Sequence, residues 1–181
     1  MRIAVQGIAG CFSEAAAAQL APGSETVYCR TFEDIFKSLA AGTAARGLVP
    51  VENTIAGEIA ATRKLLAGHP IRVVAETRLR IEQCLIATPG ATLSGIGRVF
   101  SHPVALQQCG QFLAHHPHWR VEAYFDTAAG VQHIMQEARP DQAAIAGPQA
   151  AAVYHAQILA RGIGDVVDNF TRFVLVEANS A

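Results

Sequence analysis

The chain has 181 residues, with 14 Lys plus Arg against 15 Asp plus Glu, a formal net charge of −1. Hydrophobic residues make up 51% and charged residues only 16%, a balance that excludes disorder and gives no basic field for nucleic acid. One or two domains with a buried core and no disulfide staples fit this length.

The chain opens with a short strand, Ile3-Ala4-Val5, that runs into a glycine loop. It lacks the longer apolar run and small-residue cleavage site of a secretory signal. Helical spacing follows over 13–20 and, after a strand at 26–29, over 32–39, where Phe32, Ile35, Phe36 and Leu39 recur on one face. A strand at 47–51 leads to a helix at 59–66. The stretch 71–86 is β-like throughout, with no helix in its middle. Strands at 99–100, 121–125 and 143–146 then lead into helices at 103–114, 128–137 and 148–159, and a strand at 173–176 closes the pattern. Repeated strand–helix alternation predicts α/β layers with mostly parallel strands. The long β-like stretch and the region near 161–168 read as two crossings between lobes. The first lobe is expected at 1–77 plus 162–181 and the second, an insertion, at 78–161. No apolar run reaches ~18 residues, so no membrane-spanning helix is expected.

Cys11, Cys29, Cys84 and Cys109 form no Cys-x-x-Cys pair and have no zinc-finger spacing. They read as reduced, packed thiols of a cytoplasmic protein. His115, His116 and His118 lack further ligands nearby and read as a solvated helix end, so no metal is expected.

Ligands of such sheets bind beyond the carboxyl ends of the strands. Four strand-to-helix junctions carry suitable residues: Gly7 to Glu14, Pro50 to Thr54, Phe100 to Pro103, and Phe125 to Ala128. Ser13, Ser101 and Asp126 or Thr127 also serve as helix N-caps, each stabilising its helix by ~1 kcal/mol with no ligand present. Together the helix N-termini favour an anion, by ~0.3–1 kcal/mol each at exposed sites, and a small carboxylate suits that edge. The glycine loop is neither a Walker motif nor a dinucleotide fingerprint. Gln108 lies seven residues after Ser101; on one helix both would point the same way, off the stripe of Leu106, Cys109 and Leu113. Gln108 faces either water or a ligand cleft. In a regular final strand Thr171 and Phe173 share one face and Arg172 points to the other.

The stretches Gly7 to Glu14, Val49 to Asn53, Ser101-His102-Pro103 with Ala105-Leu106 and Gln108-Cys109, Asp126-Thr127-Ala128, Ala143 to Tyr154, and Asn169 to Phe173 follow one another in a known order. Over nearly its full length the chain resembles the catalytic domain of prephenate dehydratase. The resemblance implies a two-lobed fold like the type 2 periplasmic-binding proteins, with the active site in the cleft between lobes. It implies conversion of prephenate to phenylpyruvate, with loss of water and carbon dioxide, in phenylalanine biosynthesis. It implies no cofactor or metal, and a homodimer. Thr171 matches the threonine proposed as catalytic. Asn53, Ser101, Gln108 and Thr127 match residues that hold prephenate, Arg172 and Phe173 complete the Thr-Arg-Phe motif, and Ser13 lies in the matching first loop.

The chain departs from the family pattern at Ile8, Cys11, Glu58-Ile59, Thr62-Arg63-Lys64 and Gln83, the last standing where a histidine is frequent. These departures bear on substrate choice. With no chorismate mutase segment expected before Met1 and no ACT domain after Phe173, weak or absent feedback by phenylalanine is expected. Arogenate dehydratase and prephenate decarboxylase are rivals on the same fold, and a non-catalytic small-acid sensor is the rival of another class.

Overall fold

Three consecutive side chains, Ile3, Ala4 and Val5, are fully buried in β1 (Arg2–Gln6), as a strand covered on both faces requires. The computed structural model describes residues 1–179 and contains two units. The first comprises Met1–Ile8, Phe12–Ile81 and the chain from Asp168 onward; the second comprises Ala9–Cys11 and Glu82–Val167. The last two residues of the expected first lobe, 180 and 181, lie outside the described residues.

The first unit contains α1 (Phe12–Leu20), β2 (Glu25–Cys29), α2 (Phe32–Ala40), β3 (Arg46–Asn53), β4 (Gly57–Glu58), α3 (Ala60–Gly68), β5 (Ile71–Arg80) and, from the returning chain, β11 (Phe170–Ala178). Its sheet runs β2-β1-β3-β11-β5, with β4 paired to β3. β1 is parallel to β2 and β3, and β11 is antiparallel to β3 and β5. Helix α2 starts where the sequence places it because Thr31 and Asp34 form a reciprocal capping box. Its Ile35, Phe36 and Leu39 pack on Val49, Val174 and Val176.

The second unit contains β6 (Cys84–Ala87), β7 (Arg98–Ser101), α4 (Pro103–Gln108), α5 (Gly110–Ala114), β8 (Arg120–Ala123), α6 (Thr127–Glu137), β9 (Gln142–Ala146), α7 (Pro148–Tyr154) and β10 (Gln157–Ala160). The sheet runs β10-β6-β9-β7-β8, with β7 parallel to β8 and β9, and β6 antiparallel to β9 and β10. Its core gathers Leu85, Ile96, Val99, Cys109, Trp119 and Ile145. Both sheets share one plan: a parallel trio, then an antiparallel strand, then an outer strand. Both units are α/β, as the strand–helix alternation predicts, but each mixes parallel with antiparallel pairs where the alternation predicts mostly parallel strands.

Several local expectations change. The helix expected over 103–114 breaks at Cys109, because Asp165 intrudes: its N–H donates to the Gln108 carbonyl at 2.7 Å, and its carboxylate accepts from the Gln111 N–H at 3.0 Å. The helix expected over 148–159 stops at Tyr154. His155 adopts the left-handed conformation and the chain turns into β10, which pairs with β6. Helix propensity in an alanine-rich stretch yields there to a sheet partner. The crossings fall after Ile81 and Val167 rather than after 77 and 161. The Ile81 N–H donates to the Asn169 carbonyl within the first unit, while the Ile163 N–H donates to the Gln83 carbonyl within the second. His116 stacks on Trp119 with ring centroids 3.9 Å apart, so the histidine-rich helix end is partly a packing element.

Gly10 sits at φ +83°, and a Cβ there would lie 2.9 Å from the Ala150 Cα. Both the backbone conformation and the space demand glycine. Gly10→Ala is expected to cost at least ~1–3 kcal/mol, read as a lower urea midpoint at unchanged slope. An unchanged midpoint would remove the close approach as a constraint.

All four cysteines are free and buried. Burial and then Glu82 push the Cys84 thiol up to about 11; burial and then Asp165 push Cys109 up to about 12, from an ordinary 9.0. The unfolded chain therefore releases these protons before the folded one does. The stability they contribute is complete below about pH 9 and is lost as pH rises toward the folded values. The urea midpoint is expected to fall between neutrality and about pH 10. A Cys84→Ala/Cys109→Ala variant should show a flatter decline, and an equal decline would refute the assignment to these thiols.

Candidate active site

The first unit brings together residues far apart in sequence at the carboxyl end of β3. Strand β11 pairs there with Thr171 opposite Asn53 and Arg172 opposite Glu52. The register then shifts, leaving Val51 of β3 without an opposite number. Because the extra residue lies in β3, β11 keeps its own alternation. Thr171 and Phe173 share one face and Arg172 takes the other, as the sequence predicts for a regular strand.

Asn53 is the hub. Its side-chain oxygen accepts from the Ile55 and Ala56 N–H groups, both at 3.0 Å. Those backbone donors fix which end of the amide is oxygen. The nitrogen therefore faces the other way, donating to Asn169 Oδ1 at 2.8 Å, the Phe170 carbonyl at 3.2 Å and Thr171 Oγ1 at 2.9 Å. Asn53 and Thr171 are each 8% exposed and Asn169 only 3%. Thr54 braces the same corner, donating to the Asp168 carbonyl and accepting from the Phe170 N–H.

This geometry assigns a direction to the Thr171 hydroxyl. Its oxygen accepts from an amide, so no base draws its proton away through that contact. The hydroxyl is a donor toward anything placed before it and is not set up as a nucleophile, which needs a base at hydrogen-bond reach. Asn169 and Thr54 were not among the residues singled out for the site. The Asn-x-Thr-Arg-Phe motif flags Asn169, but only the pairing of β11 with β3 shows what it touches.

Other expected site residues take different places. The Arg172 guanidinium reaches Glu52 at 3.3 Å and Glu76 at 3.2 Å, on the face away from Thr171. A cavity of about 250 Å3 opens there, lined by Glu52, Thr54, Arg78, Phe170 and Arg172. Phe173 is 3% exposed and belongs to the core. Ser13 is buried inside the first turn of α1 and is not its cap.

In the second unit, Ser101 ends β7 and donates its hydroxyl to the Ile145 carbonyl at 2.6 Å. It ties β7 to β9 and caps no helix; the cap of α4 is His102, whose Nδ1 accepts from the Val104 N–H at 3.3 Å. Because Ser101 lies in a strand, the helical spacing from Ser101 to Gln108 does not apply. Gln108 ends α4, and its side-chain oxygen accepts from Gln83 Nε2 at 3.4 Å. Gln83 is 4% exposed, and its Oε1 meets no partner among the described residues. Thr127 opens α6 and is half-buried. Asp126 caps that helix, its carboxylate accepting from the Ala129 N–H at 3.0 Å. Burial raises its pKa, partly offset by the Ala129 and Ala128 N–H groups and by His102. Among the described residues no cluster of His, Cys, Asp and Glu has the makings of a metal site, and no helix is long and apolar enough to cross a membrane.

Comparison with known proteins follows the same lines. The family model described as prephenate dehydratase matches residues 3–181. Among curated proteins, the chain is similar to "Arogenate dehydratase 5, chloroplastic" of Arabidopsis thaliana, 40% identical over 97% of this chain and 42% of that protein. The chain thus spans less than half the length of that relative. Among solved structures, a prephenate dehydratase from Arthrobacter aurescens in complex with L-Phe superposes with a TM-score of 0.90 and 31% identity, over 100% of this chain and 61% of that one. A protein described as GqqA, a novel type of quorum quenching acylase, superposes with a TM-score of 0.89 and 31% identity, over 100% of this chain and 65% of that one.

Proposed function

Because the chain belongs to the prephenate dehydratase family, we propose that it catalyses the decarboxylating dehydration of a cyclohexadienyl acid, prephenate or its 2-amino analogue arogenate. One observation carries the reading: the Asn53 amide donates to Thr171 Oγ1 and leaves the threonine proton to be given outward.

The reaction needs such a donor. The ring-bound carboxylate leaves as carbon dioxide, and the electrons of its bond to the ring move into the diene. They expel the hydroxyl at the opposite ring carbon, which departs with one added proton as water. The ring becomes aromatic, which supplies the driving force. A neutral hydroxyl leaves poorly as hydroxide, so a hydrogen bond given as charge develops on the departing oxygen lowers the barrier. Threonine is a weak acid, and in this reading Thr171 donates that hydrogen bond or relays a proton from water. Asn53 and Asn169 hold the donor in place, which contributes by orientation.

Gln108 and Thr127 match family residues that hold the substrate, and in this reading they keep that role. Ser101 acts indirectly, by holding the ends of β7 and β9 together. Arg172 acts through Glu52 and Glu76 and steadies the strand that carries Thr171.

The likeness to an acylase does not favour acyl transfer, since fold alone does not set function and among the described residues the Thr171 hydroxyl is bonded by the Asn53 amide and by no base of the kind a nucleophile requires. The curated relatives favour keeping arogenate beside prephenate as substrate. The test is product analysis by NMR after incubation with each acid, beside a blank without enzyme, because prephenate aromatises by itself in mild acid. Phenylpyruvate from prephenate, or phenylalanine from arogenate, well above the blank supports the reading. A non-aromatic decarboxylated product would move the chain to the decarboxylases. Saturable binding without turnover would make it a sensor.

A further inference from the structure

Arg172 of β11 stands directly opposite Arg78 of β5. Like charges so placed destabilise a sheet unless a counter-charge lies at hand. Arg172 has two, since its guanidinium reaches Glu52 and Glu76. Arg78 meets no carboxylate among the described residues. Its guanidinium rests over the Phe170 ring, 5.3 Å from the centroid, a contact that orients the charge without neutralising it. Arg80, opposite Phe170 in the same register, likewise meets no carboxylate among the described residues. Glu58, opposite Glu52 on β4, is matched by Arg63. What remains is Arg78, Arg80 and Arg172 against Glu52 and Glu76, a surplus of one positive charge.

The cavity of about 250 Å3 opens among these groups, lined by Glu52, Thr54, Arg78, Phe170 and Arg172. All five belong to the first unit. Glu52 and Thr54 flank Asn53 in the chain, and Phe170 and Arg172 flank Thr171. Strand alternation therefore makes the cavity the reverse side of the Asn53–Thr171 corner. Its volume lies below the ~300–1,000 Å3 usual for ligand pockets, which suits a small acid and excludes a nucleotide or a peptide. The Thr54 hydroxyl is already committed to the Asp168 carbonyl and the Phe170 N–H, so recognition falls to the arginines.

We propose that this cavity is a second binding site, for a small, singly charged carboxylate that the Arg78 guanidinium holds beside Arg172. The planar fork of an arginine matches a carboxylate with two parallel hydrogen bonds. One negative charge cancels the surplus and relieves the facing arginines. A doubly charged anion such as phosphate also meets Glu52 and Glu76 and gains less. The site is separate from the dehydratase reading and does not depend on it, because it is read by binding and not by turnover.

The experiment titrates benzoate into the full chain at constant ionic strength. Heteronuclear NMR follows the arginine Nε–H signals, Arg78→Gln identifies the signal of Arg78, and the benzoate signals give the affinity. The Arg78 signal is expected to shift and saturate with a Kd on the order of millimolar, as for a ligand held chiefly by one exposed ion pair. Arg78→Gln should weaken binding at least about tenfold. Glu52→Gln removes a competing negative charge and should tighten it about two- to threefold. Thr171→Val should bind benzoate as the unsubstituted chain does. Thermal denaturation checks that each variant keeps the fold. An Arg78 signal that does not move, or binding to Arg78→Gln within about twofold of the unsubstituted chain, overturns the proposal. Loss of binding in Thr171→Val would place the acid at the Thr171 corner and overturn it too. Inorganic phosphate bound as tightly as benzoate would make the cavity a general anion patch and overturn the assignment to a carboxylate.

Discussion

Replacing Thr171 by valine is expected to lower kcat by about 10²–10⁴-fold, the usual worth of a positioned proton donor. Valine keeps the shape of threonine and removes only the hydroxyl, so the buried corner stays filled. The Asn53 amide loses one of three acceptors but keeps Asn169 Oδ1 and the Phe170 carbonyl, so the stability cost is modest, about 1 kcal/mol. The loss should appear in kcat and kcat/KM alike, as for an interaction made only in the transition state. Serine restores the hydroxyl with more rotational freedom, and Thr171→Ser should recover most of the loss. Steady-state kinetics on prephenate and arogenate decide it. A Thr171→Val enzyme within about threefold of the parent would remove Thr171 from the chemistry.

Replacing Asn53 by aspartate is expected to be nearly as damaging to activity and more damaging to the fold. The substitution swaps a donating nitrogen for an oxygen at nearly the same place. That oxygen then faces Asn169 Oδ1, the Phe170 carbonyl and Thr171 Oγ1, all of which accept from Asn53 in the parent chain. Asn169 has the means to adapt by turning its own amide. Thr171 adapts by donating inward to the new carboxylate, which takes its proton away from the departing hydroxyl. An added charge at a site 8% exposed with oxygen neighbours should cost about 2–4 kcal/mol in denaturant unfolding. The decisive comparison is the double variant. If Asn53 works through Thr171, Asn53→Asp/Thr171→Val should be no slower than Thr171→Val alone. Independent, multiplying losses would show that Asn53 acts on the substrate by a separate route.

Much of the fold is legible because it rests on local patterns. Helix α2 is readable from four apolar residues at helical spacing, and the Thr31/Asp34 capping box that fixes its start is equally local. The alternation along β11 is equally local. It assigns Thr171 and Arg172 to opposite faces, and the structure keeps them there because the irregularity falls in β3. The motifs likewise mark Asn53 and Thr171 as residues of interest.

What was hidden depends on partners that are distant along the chain. The stretch 148–159 has helical composition throughout, but its second half pairs with β6 and becomes β10, because a strand edge in need of a partner outweighs a weak local preference. Ser101 and Ser13 look like helix caps, because a hydroxyl before or within a helix start has the same sequence signature whether it caps, packs or bonds another strand.

The sequence by itself therefore determined the α/β class, most helices and the face each residue of the last strand presents, set by periodicity and matching motifs. Only the tertiary structure decided the direction of the hydrogen bond between Asn53 and Thr171, 118 residues apart, and the bond that Ser101 gives to the Ile145 carbonyl, 44 residues away. Both are questions of which donor meets which acceptor, and side-chain oxygens and nitrogens have no assigned partner until folding brings them within about 3 Å of one another.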